Sequence, residues 1–367
     1  MKISRFPRVG SAVMVGALAL SLAACGSDPG AETPGGEGSE GATGLSGELN
    51  GGGASSQESA MEAWRAGFQS ANPDVTVNYD PTGSGGGREN FISGAFAFAG
   101  SDSALDDEEL AAAEAQCGEG GVIEYPGYIS PVAVAFNLEG VDSLNLSPEA
   151  IAGIFAGEIT AWDDDAIAAD NPDAELPSTD ITVIHRSDDS GTTENFQEYL
   201  HTVVPDVWTY EPEGIWPIEG QESAQGTSGV VSAAQAGEGT ITYADASQIA
   251  DLGTVAVGVG DEFVPYSPEA AAAVVEGSDP VEGAGDHVFA YDLKRDIPGT
   301  YPIVLVSYHL ACATYEDAAT ADLVKGFYTY ILSDEGQAAA ADSAGSAPLP
   351  ATLIEQFLPS VEAITAG

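Results

Sequence analysis

"DITVIHRSDDSGTTENFQEYL", residues 180–200, reads as a strand, a turn of small polar residues, and a helix. The turn holds a scarce cation. Arg186 is one of nine lysines and arginines in a 367-residue chain that carries 58 acidic residues. The same design recurs on both sides. Residues 45–94, "LSGELNGGGASSQESAMEAWRAGFQSANPDVTVNYDPTGSGGGRENFISG", give strand, Gly-rich turn and helix twice over. In the first helix Met61, Trp64 and Phe68 recur at helical spacing, Ser55 and Glu58 form a capping-box pattern, and Asn72-Pro73 ends the run. Residues 96–110, "FAFAGSDSALDDEEL", read as a strand that delivers Ser101-Asp102 to a further helix start. "SPVAVAFNLEG" (130–140) and "YPIVLVSYHLAC" (301–312) are buried strands, and "ADLVKGFYTYILS" (321–333) is a helix. "GTSGVVSAAQAGEGTITYADAS" (226–247) is a helix followed by a short strand. Alternation at this spacing predicts an α/β fold with a mostly parallel sheet.

The formal net charge is −49, with 44% hydrophobic and 8% aromatic residues. The apolar content is that of a globular chain long enough to bury a large core. The charge argues against nucleic acid or an anionic lipid surface as a partner. Acidic runs at Asp106–Glu109 and Asp163–Asp165 read as helix starts or solvated faces. The second lacks the glycine and final glutamate of a calcium loop, and no His/Asp cluster has metal spacing. Neither a metal nor another cofactor is expected.

The N-terminus carries an address. Lys2, Arg5 and Arg8 precede an apolar stretch from Val9 to Ala24, followed at once by Cys25. A basic region, a short apolar region and small residues before a cysteine resemble a bacterial lipoprotein signal. The resemblance implies residues 1–24 as signal peptide, lipidation of Cys25, and an exported protein anchored on the outer face of the cytoplasmic membrane. Residues 25–44 then form a flexible Gly-rich tether. With Cys25 lipidated, Cys117 and Cys312 remain as an even pair in an oxidising compartment. That predicts a disulfide, with two buried thiols as the alternative.

Four segments place small donors where a helix begins: Ser55-Ser56, Ser84 in its glycine run, Ser101-Asp102, and Ser190-Gly191-Thr192. Helix N-termini offer unpaired N–H groups and partial positive charge, and glycine admits close approach, so such turns suit a small oxyanion. In an α/β sheet they gather at the carboxyl ends of strands. Gly85-Gly86-Gly87-Arg88 lacks the Lys-Ser/Thr ending of a nucleotide loop. Arg186 would add a fork suited to a tetrahedral anion, oriented by Asp188. Asp102 has two readings. It caps a helix beginning near Ala104, or it accepts a proton from the anion, which admits phosphate and rejects fully deprotonated sulfate.

These residues carry a resemblance. "GGGASSQ", "TGSGGGREN", "FAGSDSAL", "IFAGEITAWDDDAI", "HRSDDSGTTENFQEYL", "GEGTITYAD" and a late "APLP" follow one another in this order. Together they resemble the phosphate-binding protein of bacterial phosphate ABC transporters, from about Leu45 to the C-terminal end. The resemblance implies a periplasmic-binding-protein-like α/β fold of two domains joined by a two-strand hinge, 45–133 plus 304–367 and 134–303. It implies a monomer that binds inorganic phosphate in the cleft and hands it to a membrane permease. Ser55, Ser56, Ser84, Asp102, Arg186, Ser190, Gly191 and Thr192 match the family's phosphate ligands, with Asp188 behind Arg186. Ser55-Ser56 stands where the family has Thr-Phe, and Asp189 where it often has glycine. The rival oxyanions are sulfate, molybdate and phosphonates. An enzyme, whether phosphatase or serine hydrolase, is not expected: His185 and Ser190 do not make a triad, and Gly-x-Ser-x-Gly is absent. His201, His287 and His309 read as structural or surface residues.

Overall fold

The computed structural model describes residues 44–281 and 285–367. The signal peptide and Cys25 lie outside the described residues. Strand β1 (Gly47–Gly53) leads into α1 (Glu58–Ala71), β2 (Val75–Asp80) into α2 (Ser84–Ile92), and β3 (Phe98–Ser101) through a loop into α3 (Asp107–Cys117). The long strand β4 (Val122–Asn137) follows, then β5 (Ser143–Leu146), α4 (Pro148–Phe155) and α5 (Asp165–Asp170). Next come β6 (Thr182–Arg186), α6 (Gly191–Val203), β7 (Glu222–Ala224), α7 (Gly226–Ala236), β8 (Thr240–Asp245), β9 (Gly253–Val259), β10 (Glu262–Val264) and α8 (Pro268–Gly277). Short strands β11 (Asp279–Pro280) and β12 (Tyr291–Asp292) pair before β13 (Val304–Cys312). The chain ends with β14 (Thr314–Tyr315), α9 (Ala318–Ile331), α10 (Asp334–Ala344), α11 (Ala351–Glu362) and β15 (Thr365–Ala366). Among the described residues no helix is long and apolar enough to cross a membrane.

The main sheet runs β2-β1-β3-β13-β4-β8-β6-β7, with β9, β5 and β10 branching off it. It is mixed, which corrects the expectation of a mostly parallel sheet. The β1–β2, β1–β3, β6–β7 and β6–β8 pairs are parallel, as strand–helix–strand units require. Between these two groups, β13 returns from far along the chain and pairs antiparallel with both β3 and β4. β4 changes partner along its length. Residues 122–131 pair with β13, and Val132–Asn137 pair with β8. Val132 to Phe136 are wholly buried, so this run is apolar without alternation.

Helix α1 packs Ala60, Met61, Trp64 and Phe68 into the core and ends at Asn72, as its spacing predicts. The capping box does not form. The N-cap is Gln57 without a side-chain cap, because Ser55 is engaged elsewhere. Asp106 caps α3 with Glu109 closing the box, and Asp164 caps α5, so both acidic runs are helix starts. A disulfide joins Cys117, at the end of α3, to Cys312, at the end of β13, with S–S 2.01 Å.

Candidate functional site

The turn after β1, the start of α2, the residues after β3, and the β6–α6 turn meet at one buried point. Asp102 is its centre and is 3% exposed. Its Oδ1 accepts from Ser56 Oγ at 2.7 Å and its Oδ2 from Thr192 Oγ1 at 2.9 Å. Its own N–H donates to Ser84 Oγ at 3.0 Å, and its carbonyl accepts from Asn195 Nδ2 at 2.7 Å. Burial pushes this carboxyl above the ordinary carboxylate range and makes it a weaker acid, while the hydroxyls of Ser56 and Thr192 and the Arg186 charge pull partly the other way. Asp102 does not cap a helix. α3 begins only at Asp107, with Asp106 as its cap, and the capping reading is corrected accordingly.

Gly191 is where the two halves of this arrangement touch. A β-carbon there would lie 2.7 Å from Asp102 Cβ and 2.8 Å from Ser84 Oγ. Only glycine lets the first turn of α6 come this close. Ser190 caps that helix through Thr193 N–H at 3.2 Å.

Arg186, 3% exposed, ends β6. Its Nε and a terminal nitrogen donate to the two Asp188 oxygens at 2.8 and 2.5 Å. Asp188 Oδ1 also accepts from Gly226 N–H at 3.0 Å. Burial pushes the Asp188 carboxyl up, but the guanidinium and the amide outweigh it and hold it below the ordinary range. The sequence expectation that Asp188 orients the arginine matches this geometry. Asp189 is turned away from Arg186, with Oδ1 3.9 Å from Arg88, and its carbonyl accepts from Gly85 N–H.

Sequence reasoning missed the start of α7. Ser55 Oγ accepts from Thr227 N–H at 3.0 Å and lies 3.1 Å from Thr227 Oγ1. Gly226-Thr227-Ser228-Gly229 has the same small-residue pattern as the other helix starts. That pattern was the available signal. Gln248 was missed as well; its Nε2 donates to the carbonyls of Ser55 and Ser56 at 2.8 and 3.1 Å. His185 stacks on Trp216 and bonds the Arg186 carbonyl, while Ser190 Oγ serves its helix, so no described contact joins His185 to Ser190.

The starts of α1, α2, α6 and α7 thus surround a hydroxyl-rich point with one arginine and one buried carboxylate. Such a site can hold a small tetrahedral oxyanion through N–H and O–H donors, and it offers one acceptor for a proton that the anion carries.

Known proteins share this architecture. Residues 38–335 match the family model for the PBP superfamily domain. The chain is 34% identical to phosphate-binding protein PstS 3 of Mycobacterium tuberculosis, over 99% of this chain and 100% of that protein. It is 32% identical to PstS 2 of the same organism, over 98% and 100%. Among solved structures, a high-affinity periplasmic phosphate-binding protein with bound phosphate superposes with a TM-score of 0.69 at 25% identity, covering 84% of this chain and 92% of that one. A phosphate-binding protein from Stenotrophomonas maltophilia gives a TM-score of 0.67 at 22% identity, over 86% and 94%.

Proposed function

This chain belongs to the PBP superfamily and, within it, to the phosphate-binding proteins, and on that premise we propose that it captures inorganic phosphate outside the cytoplasmic membrane and delivers it to an ABC permease. One observation supports phosphate over its rivals. Asp102 is a carboxylate buried among hydroxyl donors, beside an arginine, at the meeting of helix starts. Phosphate retains a proton near neutral pH and can donate it to Asp102. Sulfate and molybdate have none to give, so their oxygens would face a buried negative charge.

In this reading Ser55, Ser56, Ser84, Arg186, Ser190, Gly191 and Thr192 supply donors to the anion, with Thr227 added by its place beside Ser55. Asp188 fixes the guanidinium plane. Residues 45–133 with 304–367 form one lobe and 134–303 the other, and β4 and β13 are the crossings. The change of β4 partner at Pro131–Val132 fits a hinge there. Contacts between the lobes fit a closed cleft: Thr192 to Asp102, Thr227 to Ser55, and Ser103 Oγ to Glu194 at 2.5 Å. Closure would be the signal the permease reads. The lipid anchor at Cys25 would keep the domain at the membrane, and the chain would act as a monomer without chemistry on its ligand.

Calorimetric titration of the tether-free domain, first with phosphate and then with sulfate, tests this directly. One-to-one phosphate binding with no sulfate signal is expected. Equal binding of both anions would remove the role given to Asp102, and binding of neither would remove phosphate capture.

A further inference from the structure

Asn195 lies one helical turn beyond Gly191 on α6, so its side chain stands over the first turn of that helix. It is 6% exposed. Its Nδ2 donates to two main-chain carbonyls, that of Asp102 at 2.7 Å and that of Gly191 at 2.9 Å. Both carbonyls belong to residues of the anion site. One comes from the turn after β3 and the other from the start of α6, on opposite sides of the proposed cleft. A single amide nitrogen, with its two hydrogens, therefore spans the two walls.

The orientation of this amide is fixed from behind. Arg295 has donors only, and one of them reaches Asn195 Oδ1 at 3.0 Å. Reversing the amide would set N–H groups against the guanidinium and an acceptor against two carbonyls. Arg295 is itself held firmly. The nitrogen that meets Asn195 also donates to Glu198 Oε2 at 2.5 Å, and the other terminal nitrogen donates to the carbonyls of Pro302 and Val304 at 3.1 and 3.3 Å. Those two residues flank Ile303, whose carbonyl accepts from Val132 N–H at 2.8 Å. Val132 is where β4 changes partner, so the arginine is seated on the two strand crossings.

The other contacts across the cleft are of a different kind. The hydroxyls of Ser56 and Thr192 on Asp102, and that of Ser55 beside Thr227, are groups that the phosphate reading gives to the anion. The bond from Asn195 to the Asp102 carbonyl uses none of them. It adds to the contacts of the ligand and does not compete with them. Glycine at 191 is what lets α6 come near enough, since a β-carbon there would lie 2.7 Å from Asp102 Cβ.

We propose that Asn195 is the latch of the closed cleft and that Arg295 is the positioning residue that aims it. The proposal rests on the phosphate reading above. The Asp102 carbonyl is solvated when the lobes part and paired when they meet, so this bond stabilises the closed state alone. Phosphate leaves only through opening. The latch therefore slows release and leaves encounter unchanged.

The test follows uptake of labelled phosphate, and its release into excess unlabelled phosphate, for the native protein, Asn195→Ala and Glu198→Gln at neutral pH and fixed salt. Asn195→Ala should release phosphate about tenfold faster at a native association rate, the order of one lost hydrogen bond and the unpaired carbonyl left behind. Glu198→Gln keeps an acceptor for Arg295 and leaves Asn195 in place, so its release rate should be native. Equal acceleration in both variants would assign the effect to packing around Arg295 and overturn the latch. An unchanged release rate in Asn195→Ala would overturn it too. Should Asn195→Ala not fold, NMR of the Asn195 side-chain amide in the native protein decides. The hydrogen facing Asp102 should exchange slowly with water when phosphate is bound and quickly without it; equal exchange in the two states overturns the latch. Native protein that fails to bind phosphate would overturn the underlying reading, and this shows before any variant is made.

Discussion

Replacing Asp102 by asparagine changes the chemistry of the site at almost constant shape. The carboxylate accepts from Ser56 at 2.7 Å and from Thr192 at 2.9 Å. An amide offers one acceptor oxygen and two N–H donors in its place. The hydroxyls then compete for one oxygen, and the proton of a bound phosphate meets an N–H. Phosphate loses one charge-assisted hydrogen bond, about 2–3 kcal/mol, or roughly 30- to 150-fold in affinity. Sulfate gains on the same change, because a buried negative charge is gone and a donor has appeared. The phosphate preference should therefore narrow by on the order of a hundredfold to a thousandfold. Fold is not at risk, since the substitution removes a buried charge. The assay is calorimetry with both anions at neutral pH and fixed salt, with a thermal melt of each protein as control. Weaker binding of both anions by the same factor would refute the reasoning, for it would mean that Asp102 supports the site without reading the proton.

Arg186→Lys keeps the charge and loses the fork. A lysine cannot hold both Asp188 oxygens in one plane, so phosphate affinity should fall about 10- to 100-fold, and wild-type affinity by calorimetry would place the anion elsewhere. Glu124 concerns stability. Burial pushes it up to about 8, one of its oxygens accepts from Leu105 N–H at 2.9 Å, and the other has no hydrogen-bond partner among the described residues. A carboxyl raised above its unfolded value of about 4.3 stabilises the fold below that value, and the contribution disappears as pH rises through about 8. The native melting temperature should therefore drop across that window, by a stability on the order of a few kcal/mol, while Glu124→Gln holds level. Parallel melting curves for the two proteins would exclude Glu124 as the cause.

The legible parts of the site were those written locally. Arg186 and Asp188 are two residues apart, and a guanidinium beside a carboxylate at that spacing pairs within its own turn. Serines and glycines after a strand mark a helix start wherever they occur. Long-range contacts were not legible. Ser55 and Glu58 have a capping-box spacing, but the hydroxyl of Ser55 goes to Thr227, 172 residues away, and nothing local announces this. Thr227 itself follows β7, a strand of three residues too short and exposed to signal a unit of the design. The direction of β13 was equally hidden. A strand buried on both faces reads alike whether its neighbours run with it or against it, and here the return from residue 304 to the middle of the sheet decides the matter. Ser307 and His309 sit in that same apolar run, so their polar contacts appear only once Gln57 is beside them.

The remaining question is how a chain with 58 acids and nine bases holds an anion at all. The described arginines that are buried do not provide a field. Arg88 lies against Glu109, Arg186 against Asp188 and Arg295 against Glu198. Four helix starts contribute very roughly half a charge each, which is about enough to offset Asp102 and Asp188 and leave the guanidinium in surplus. The local balance is therefore close to one positive charge, set by dipoles that act within a turn of helix. Surface acids farther off are screened beyond about 8 Å at physiological salt. A surplus of about one charge attracts phosphate and sulfate alike and cannot tell them apart. The site must select by which hydrogen each partner carries, which is why the direction of every hydroxyl around Asp102 matters more than the sign of the protein's field.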